Sequence, residues 1–301
     1  MNKEFLDLAE QLKSSVSCTV RLNELMSGHT SFKIGGPADI LVLPESIEQL
    51  REVLKVVKET VVPLTLLGNG SNVLVRDKGI RGIVIKLGNM LRHFYEAEDL
   101  LVFGSGYSLA LASYKAMECG KTGMEFAVGI PGSIGGAVYM NAGAYDGEMQ
   151  NIVNCVKVMD LQGNERVLTA EELNFGYRKT SLQNSGLIVT EVTLKMPSGN
   201  KDEIKTKMDD FSHRRISKQP LEMPSAGSMF KRPPGYFAGT LIDQAGLKGY
   251  TVGGAQISTK HAGFVVNVGG ATAADVLQLI KDVQTKIKAG VGVELQPEVL
   301  V

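Results

Sequence analysis

Three glycine-rich loops are the first places in this 301-residue sequence where residue type and spacing suggest chemistry. Gly68-Asn-Gly-Ser-Asn72 follows an apolar run, and Gly104-Ser-Gly106 lies between a strand pattern and a helix pattern. Gly129-Ile-Pro-Gly-Ser-Ile-Gly-Gly136 is followed, four residues on, by Asn141-Ala-Gly143. Without a Cβ the backbone can reach positive φ and a phosphate can approach its amides; the small Ser and Asn residues between add neutral donors. Any one such pair is readily an ordinary turn. The dinucleotide fingerprint G-x-G-x-x-G is not completed, because the last glycine position is Val73 after Gly70 and Leu109 after Gly106. The lysine-bearing Walker loop is absent as well. Several phosphate-cradling loops without either signature point to a different dinucleotide fold.

Charged and hydroxyl candidates lie further on. Arg178 stands in Phe175-Gly-Tyr-Arg-Lys-Thr180, Ser228 in Pro224-Ser-Ala-Gly-Ser-Met-Phe-Lys231, and Glu298 in Leu295-Gln-Pro-Glu-Val299. Read singly they are a solvated arginine, a turn serine and a rim glutamate. Arg214, Arg215 and Lys218 cluster at the end of a charged helix, where cations are favoured in any case. His29, His93, His213 and His261 show no ligand spacing, so no metal site is expected. Cys18, Cys119 and Cys155 are odd in number and far apart, which indicates neither a disulfide framework nor a thiolate cluster.

The elements that must position these residues alternate early on. Residues 38–44 read as a strand, 46–59 as a helix with Ser46 and Gln49 placed as a capping box, and 63–67 as a second strand. Segments 80–87, 100–103, 153–160 and 187–196 favour strand, interrupted by a helix over 108–119. Met196-Pro-Ser-Gly-Asn200 marks a domain boundary. Beyond it come a charged helix (202–216), a Pro/Gly-rich loop and a last helix over 272–289, which Gly290 stops, with 291–295 as a closing strand.

Bulk properties narrow the classes. Thirty-two basic residues balance thirty-two acidic ones, so no global field draws in nucleic acid or an anionic membrane. A 44% hydrophobic composition supports two or three cores at this length. The opening MNKEFLDLAEQLKSSV is a charged amphipathic helix, not a signal peptide, and no run approaches the about 18 apolar residues of a membrane span. A cytoplasmic, reduced protein is expected.

Leu67-Gly-Asn-Gly-Ser-Asn-Val-Leu-Val75 and Gly129-Ile-Pro-Gly-Ser-Ile-Gly-Gly-Ala-Val-Tyr-Met-Asn-Ala-Gly-Ala-Tyr145 resemble the two FAD loops of the UDP-N-acetylenolpyruvoylglucosamine reductase family (UDP-N-acetylmuramate dehydrogenases). Phe32-Lys-Ile-Gly-Gly-Pro-Ala-Asp39 is similar to that family's opening segment, and the likeness runs in order from about residue 20 to the C-terminus. The middle loop alone resembles the wider family of vanillyl-alcohol-oxidase-type FAD domains; the later motifs narrow it. Two features fit the family's shorter second class. Arg232 stands where the other class has an asparagine, and the span from Arg178 to Ser228 leaves no room for an extra tyrosine-bearing loop.

The resemblance implies an α+β chain. A two-lobed FAD-binding domain of the vanillyl-alcohol-oxidase type would cover residues 1–198, with its lobes divided near residue 80. A smaller α/β substrate-binding domain would cover 199–290, and a C-terminal strand, 291–301, would return to the FAD domain. It implies non-covalent FAD held by Gly68, Asn69, Gly70, Ser71, Asn72, Gly129, Gly132, Ser133, Gly135, Gly136, Asn141 and Gly143. Arg178, Ser228 and Glu298 would be catalytic, and Lys218, Arg214 and Arg232 would bind substrate, with Lys218 on its diphosphate. The implied activity is reduction of UDP-N-acetylglucosamine enolpyruvate by NADPH for peptidoglycan synthesis, and hence cell-wall biogenesis, cell shape and division. No protein partner is expected. The rival is another FAD oxidase or dehydrogenase acting on a small alcohol. Many of those tether FAD through a histidine in a glycine loop, and neither 68–72 nor 129–136 contains one.

Overall fold

The computed structural model describes residues 3–87 and 91–301. Its helices are α1 (Lys3–Ser15), α2 (Ile47–Lys58), α3 (Leu109–Glu118), α4 (Ile134–Tyr139), α5 (Lys201–Lys218), α6 (Ala238–Gln244) and α7 (Ala273–Val291). Strands β1 (Thr19–Leu25), β2 (Pro37–Leu43), β3 (Leu64–Leu67) and β4 (Ile80–Lys86) form one sheet in the order β1-β2-β4-β3. Strands β5 (Phe94–Ala97) and β6 (Leu100–Gly104) belong to a second sheet; β7 (Gly143–Ala144) and β8 (Gly147–Glu148) pair only with each other. With β9 (Val153–Met159), β10 (Glu165–Thr169) and β11 (Ile188–Lys195), the second sheet runs β10-β9-β11-β6-β5, antiparallel throughout. A third sheet orders β12 (Ser225–Ser228), β13 (Thr251–Val252), β14 (Ala255–Ile257) and β15 (Phe264–Asn267) as β12-β15-β14-β13. The fold is α+β.

The chain divides into two units. Unit 1 is Met1–Leu22, Asp39–Asn69 and Gly82–His213; unit 2 is Asn23–Ala38, Gly70–Arg81 and Arg214–Val301. In unit 1, α2 buries Leu50, Val53, Leu54 and Val56, a stripe at helical spacing, among Ile40, Val42, Ile83 and Ile85. Ser46 caps α2 by accepting from the Gln49 amide, but the Gln49 side chain accepts from the Glu45 N–H at 2.7 Å, one residue upstream of the expected box. A second core lies between the antiparallel sheet and α3 and α4, around Phe103, Ile134, Val138 and Val192.

The division differs from the boundary expected at residue 198. Ile204, Met208 and Phe211 recur every three or four residues along α5 and pack with Val128. Tyr145 stacks on the Phe211 ring at 4.2 Å, so most of this helix is bound into unit 1.

Unit 2 is built on α7. Its first amides are all provided for: Asp77 accepts from Ala273 and Ala274 at 2.7 and 2.9 Å, and Thr272 with Asp275 completes a capping box. Val276, Leu279, Ile280, Val283 and Ile287 face Phe32, Leu74, Ile242 and Val265. The helix passes through Gly290 and ends at Val291, with Gly292 as the left-handed cap at φ 71°. A glycine inside a helix costs only about 1 kcal/mol, so either glycine could have served as the stop. The strand expected over 291–295 does not form. This tail makes single bridges instead, Pro297 to Phe230 and Leu300 to Val73.

Candidate active site

Unit 1 brings together the 104–106 loop, the 129–136 loop and the start of the 68–72 loop. The loop after β6 laces onto the 129–136 loop: Gly135 N–H donates to Ser105 O, Ile134 N–H to Tyr107 O, and Leu109 N–H to Gly132 O, at 2.9–3.1 Å. A Cβ on Gly68, at the end of β3, would lie 3.4 Å from Ser133 Oγ. Asn69, Gly129 and Gly136 remain exposed, and neither 68–72 nor 129–136 contains a charged side chain. Small neutral donors and backbone lining of this kind suit the diphosphate of a dinucleotide such as FAD.

Not every expected contact follows from this. A Cβ at Gly135 would lie 2.7 Å from Ser105 Cβ, and one at Gly70 2.3 Å from His29 O. Chain-to-chain packing therefore accounts for these two glycines by itself. Gly143 is likewise pressed against β8, its missing Cβ 2.7 Å from both Glu148 Cβ and Gly147 O. Asn141 has a structural task of its own. Its side chain is 0% exposed, and its amide donates to Glu148 Oε2 and Gly176 O, both at 3.0 Å, while its oxygen accepts from Gln150 N–H at 3.0 Å. Both amide hydrogens are used by the protein, so the side chain braces the loop from behind.

Arg178 is part of the same construction. It occupies a tight turn in which Gly176 and Lys179 exchange N–H···O bonds of 2.9 and 3.1 Å. Its guanidinium donates to Asn141 O at 3.4 Å and Gly143 O at 3.2 Å, and stands 5.1 Å from the centroid of the Tyr177 ring.

Unit 2 brings Ser228 and Glu298 together. In β12, Ser225 pairs with Val266 and Ser228 with Phe264, so one extra residue is inserted between them. Gly227, at φ 79°, absorbs it, giving a bulge that re-aims the exposed Ser228. The next residue, Met229, donates to Gly263 O at 2.8 Å and accepts from Glu298 N–H at 2.9 Å. The Glu298 backbone is gripped again by Asn72, whose Nδ2 donates to Glu298 O at 3.3 Å. The 70–72 segment is fixed in turn by Ser31, whose hydroxyl donates to Ser225 O at 2.7 Å and whose N–H donates to Gly70 O at 3.1 Å. Sequence patterns gave no signal for Ser31 or Asp77, because each acts on a partner far away in the chain.

Among the basic candidates, Lys218 is the last residue of α5, with Arg214 one turn earlier. Burial pushes the His261 imidazole below its ordinary pKa, and the charges of Lys248 and Lys218 add to that shift. Arg232 lies over the Phe237 ring at 4.0 Å. Among the described residues no group of three or more His, Cys, Asp and Glu could hold a metal ion, and no helix is long and apolar enough to cross a membrane.

Comparison with known proteins identifies the family. Residues 38–169 match the model of an FAD binding domain, and residues 219–301 match that of the UDP-N-acetylenolpyruvoylglucosamine reductase C-terminal domain. The UDP-N-acetylenolpyruvoylglucosamine reductase of Clostridium perfringens (strain SM101 / Type A) is 50% identical over 296 residues, covering 98% of this chain and 96% of its own. That of Clostridioides difficile (strain 630) is 49% identical over 280 residues, covering 93% and 92%. The crystal structure of the Thermus caldophilus UDP-N-acetylenolpyruvylglucosamine reductase superposes with a TM-score of 0.79 at 38% identity, over 94% of this chain and 98% of that one. With half its residues identical along nearly its whole length, the chain belongs to the UDP-N-acetylenolpyruvoylglucosamine reductase family.

Proposed function

We infer that this protein reduces UDP-N-acetylglucosamine enolpyruvate to UDP-N-acetylmuramate with NADPH, as a cytoplasmic FAD enzyme of peptidoglycan precursor synthesis. Residues 1–198 hold the cofactor and residues 199–290 bind the substrate. Bound FAD would supply the hydride chemistry, carrying two electrons from NADPH to the enolpyruvyl β-carbon.

The chain's own residues supply the rest. Hydride arrival at the β-carbon drives negative charge onto the substrate carboxylate. Arg178 answers that charge with two parallel N–H donors, prepositioned before the charge appears. The α-carbon then needs a proton. Ser228 Oγ–H delivers it, a carboxylate enolate being basic enough to deprotonate a hydroxyl. Glu298 orients the carboxylate or donates to its oxygen. Lys218 holds the diphosphate, with Arg214 and Arg232 as further substrate contacts. The observation that most supports this reading is the Met229 backbone, which accepts from the Glu298 N–H while Met229's neighbour is the bulge-directed Ser228. A proton donor and a carboxyl group are thereby presented from adjacent segments of one unit.

The test is direct. Purified protein should be yellow and release FAD into the supernatant on acid denaturation. It should turn over many equivalents of NADPH only when the enolpyruvyl nucleotide is present. A colourless protein that takes up no FAD, or turnover of an alcohol without NADPH, would contradict the reading.

A further inference from the structure

Arg178 holds a backbone conformation that its side chain disfavours. With φ at 55° it is the second central residue of the Gly176–Lys179 turn, a position that suits glycine or asparagine. A long side chain is kept there at a cost, and such outliers persist only where surrounding structure over-determines them. The surroundings here are two side-chain amides. Gln183 Nε2 donates to Arg178 O at 3.1 Å and also to Tyr139 O at 3.1 Å, tying the turn to the end of α4. Asn141, on the other side, donates to Gly176 O and Glu148. The guanidinium returns to the same segment through Asn141 O and Gly143 O. Two carbonyls of the turn are therefore each clamped by one amide, and both amides are anchored on residues 139–148.

We propose that Gln183 and Asn141 are positioning residues for Arg178: they hold its left-handed turn, and so set where the guanidinium stands relative to the 141–143 loop. This deepens the function given above and rests on the catalytic reading of Arg178. The physical reason is that charge on the substrate carboxylate appears only as hydride arrives. A guanidinium displaced by about 1 Å loses transition-state stabilisation by as much as about 100-fold while ground-state binding changes little. Neither amide needs to touch substrate or cofactor. A hairpin held only for stability has no comparable need of an arginine at its glycine-favouring position.

Gln183 is the better probe, since Asn141 is wholly buried. Four proteins are compared: wild type, Gln183→Leu, Arg178→Ala and the double variant. For each, flavin content, flavin reduction by NADPH and flavin reoxidation by UDP-N-acetylglucosamine enolpyruvate are measured by stopped-flow absorbance. Gln183→Leu should slow reoxidation about 10- to 100-fold, leave reduction by NADPH within about twofold, and change KM little. In the Arg178→Ala background it should add no further loss, because residues that act through one group are not additive. Hydrogen exchange of the Lys179 amide, which is bonded to Gly176 O, should quicken in Gln183→Leu without general loosening. Losses that multiply in the double variant, or wild-type reoxidation in Gln183→Leu beside a slow Arg178→Ala, would overturn the positioning role alone. Normal reoxidation in Arg178→Ala would instead overturn the catalytic reading beneath it. If Gln183→Leu does not fold, Gln183→Glu, which keeps the shape and removes both donors, enters the same cycle with the same expected and contrary outcomes.

Discussion

The two units place their chemical groups by opposite means. In unit 1, Arg178 sits at positive φ without being a glycine, and side-chain amides hold it there. In unit 2, Ser228 follows a glycine that takes the positive φ for it, and main-chain bonds from Met229 to Gly263 and Glu298 fix the register. A backbone-built site tolerates side-chain changes nearby, because its bonds survive them. A side-chain-built site can be shifted by one substitution. Variants around Arg178 should therefore alter placement, whereas Ser228 variants should alter only the chemistry of the group placed.

On the unit 1 side of this contrast, the largest kinetic effect considered is that of Arg178→Lys. A lysine is a point charge without the planar pair of donors, so kcat should fall about 10²- to 10³-fold, or about 3–4 kcal/mol, with KM nearly unchanged. Steady-state kinetics decide it; a raised KM at normal kcat would make Arg178 a binding residue. Next come the glycines. Gly135→Ala should cost about 1–3 kcal/mol in urea unfolding, since its Cβ would lie 2.7 Å from Ser105 Cβ. Gly68→Ala has room at 3.4 Å from Ser133 Oγ, so it should fold normally and bind FAD more weakly. Equal stability of the two variants would remove the packing explanation for Gly135.

Lys218→Ala should be milder, raising KM for the enolpyruvyl nucleotide about tenfold (about 1.4 kcal/mol) with little change in kcat, as expected of a contact equal in ground and transition states. A kcat effect larger than the KM effect would move Lys218 out of the diphosphate role. The smallest effect concerns pH in unit 2. His261 Nδ1 accepts from Gly263 N–H at 3.0 Å, so the folded protein favours the neutral ring, and burial lowers its pKa. The unfolded chain keeps the ordinary value near about 6.5 and binds the proton first. This contribution to stability is therefore full above that pH and lost as pH falls towards the lower folded value. Urea midpoints at pH 7.5 and 5.5 should differ less in His261→Leu than in wild type; an identical pH dependence would contradict it.

Much of this was legible in the residues. The residue pattern located α2, α3, α5 and α7, and each glycine loop lies where its flanking strand or helix pattern ends. What local pattern could not show shares a cause. Gly290 and Gly292 carry the same local signal, and only the packed helix decides which becomes the cap. Gly70 and Gly135 have a packing reason to be glycine as well, set by His29 and Ser105, which are distant in sequence. The Asn141 side-chain amide is bonded to Glu148 and Gly176, an arrangement no local motif announces. Gln183 and Asp77 lie in no motif, because what they hold is brought to them by the fold.

The most direct test of the central claim separates the half-reactions in Ser228→Ala. Flavin reduction by NADPH requires no proton at the substrate α-carbon, whereas reoxidation by UDP-N-acetylglucosamine enolpyruvate does. Stopped-flow absorbance should show near-normal bleaching by NADPH and recovery of colour slowed about 10²- to 10⁴-fold, with partial restoration in Ser228→Cys. Equal slowing of both halves, or normal reoxidation, would contradict the assignment of Ser228 as the proton donor.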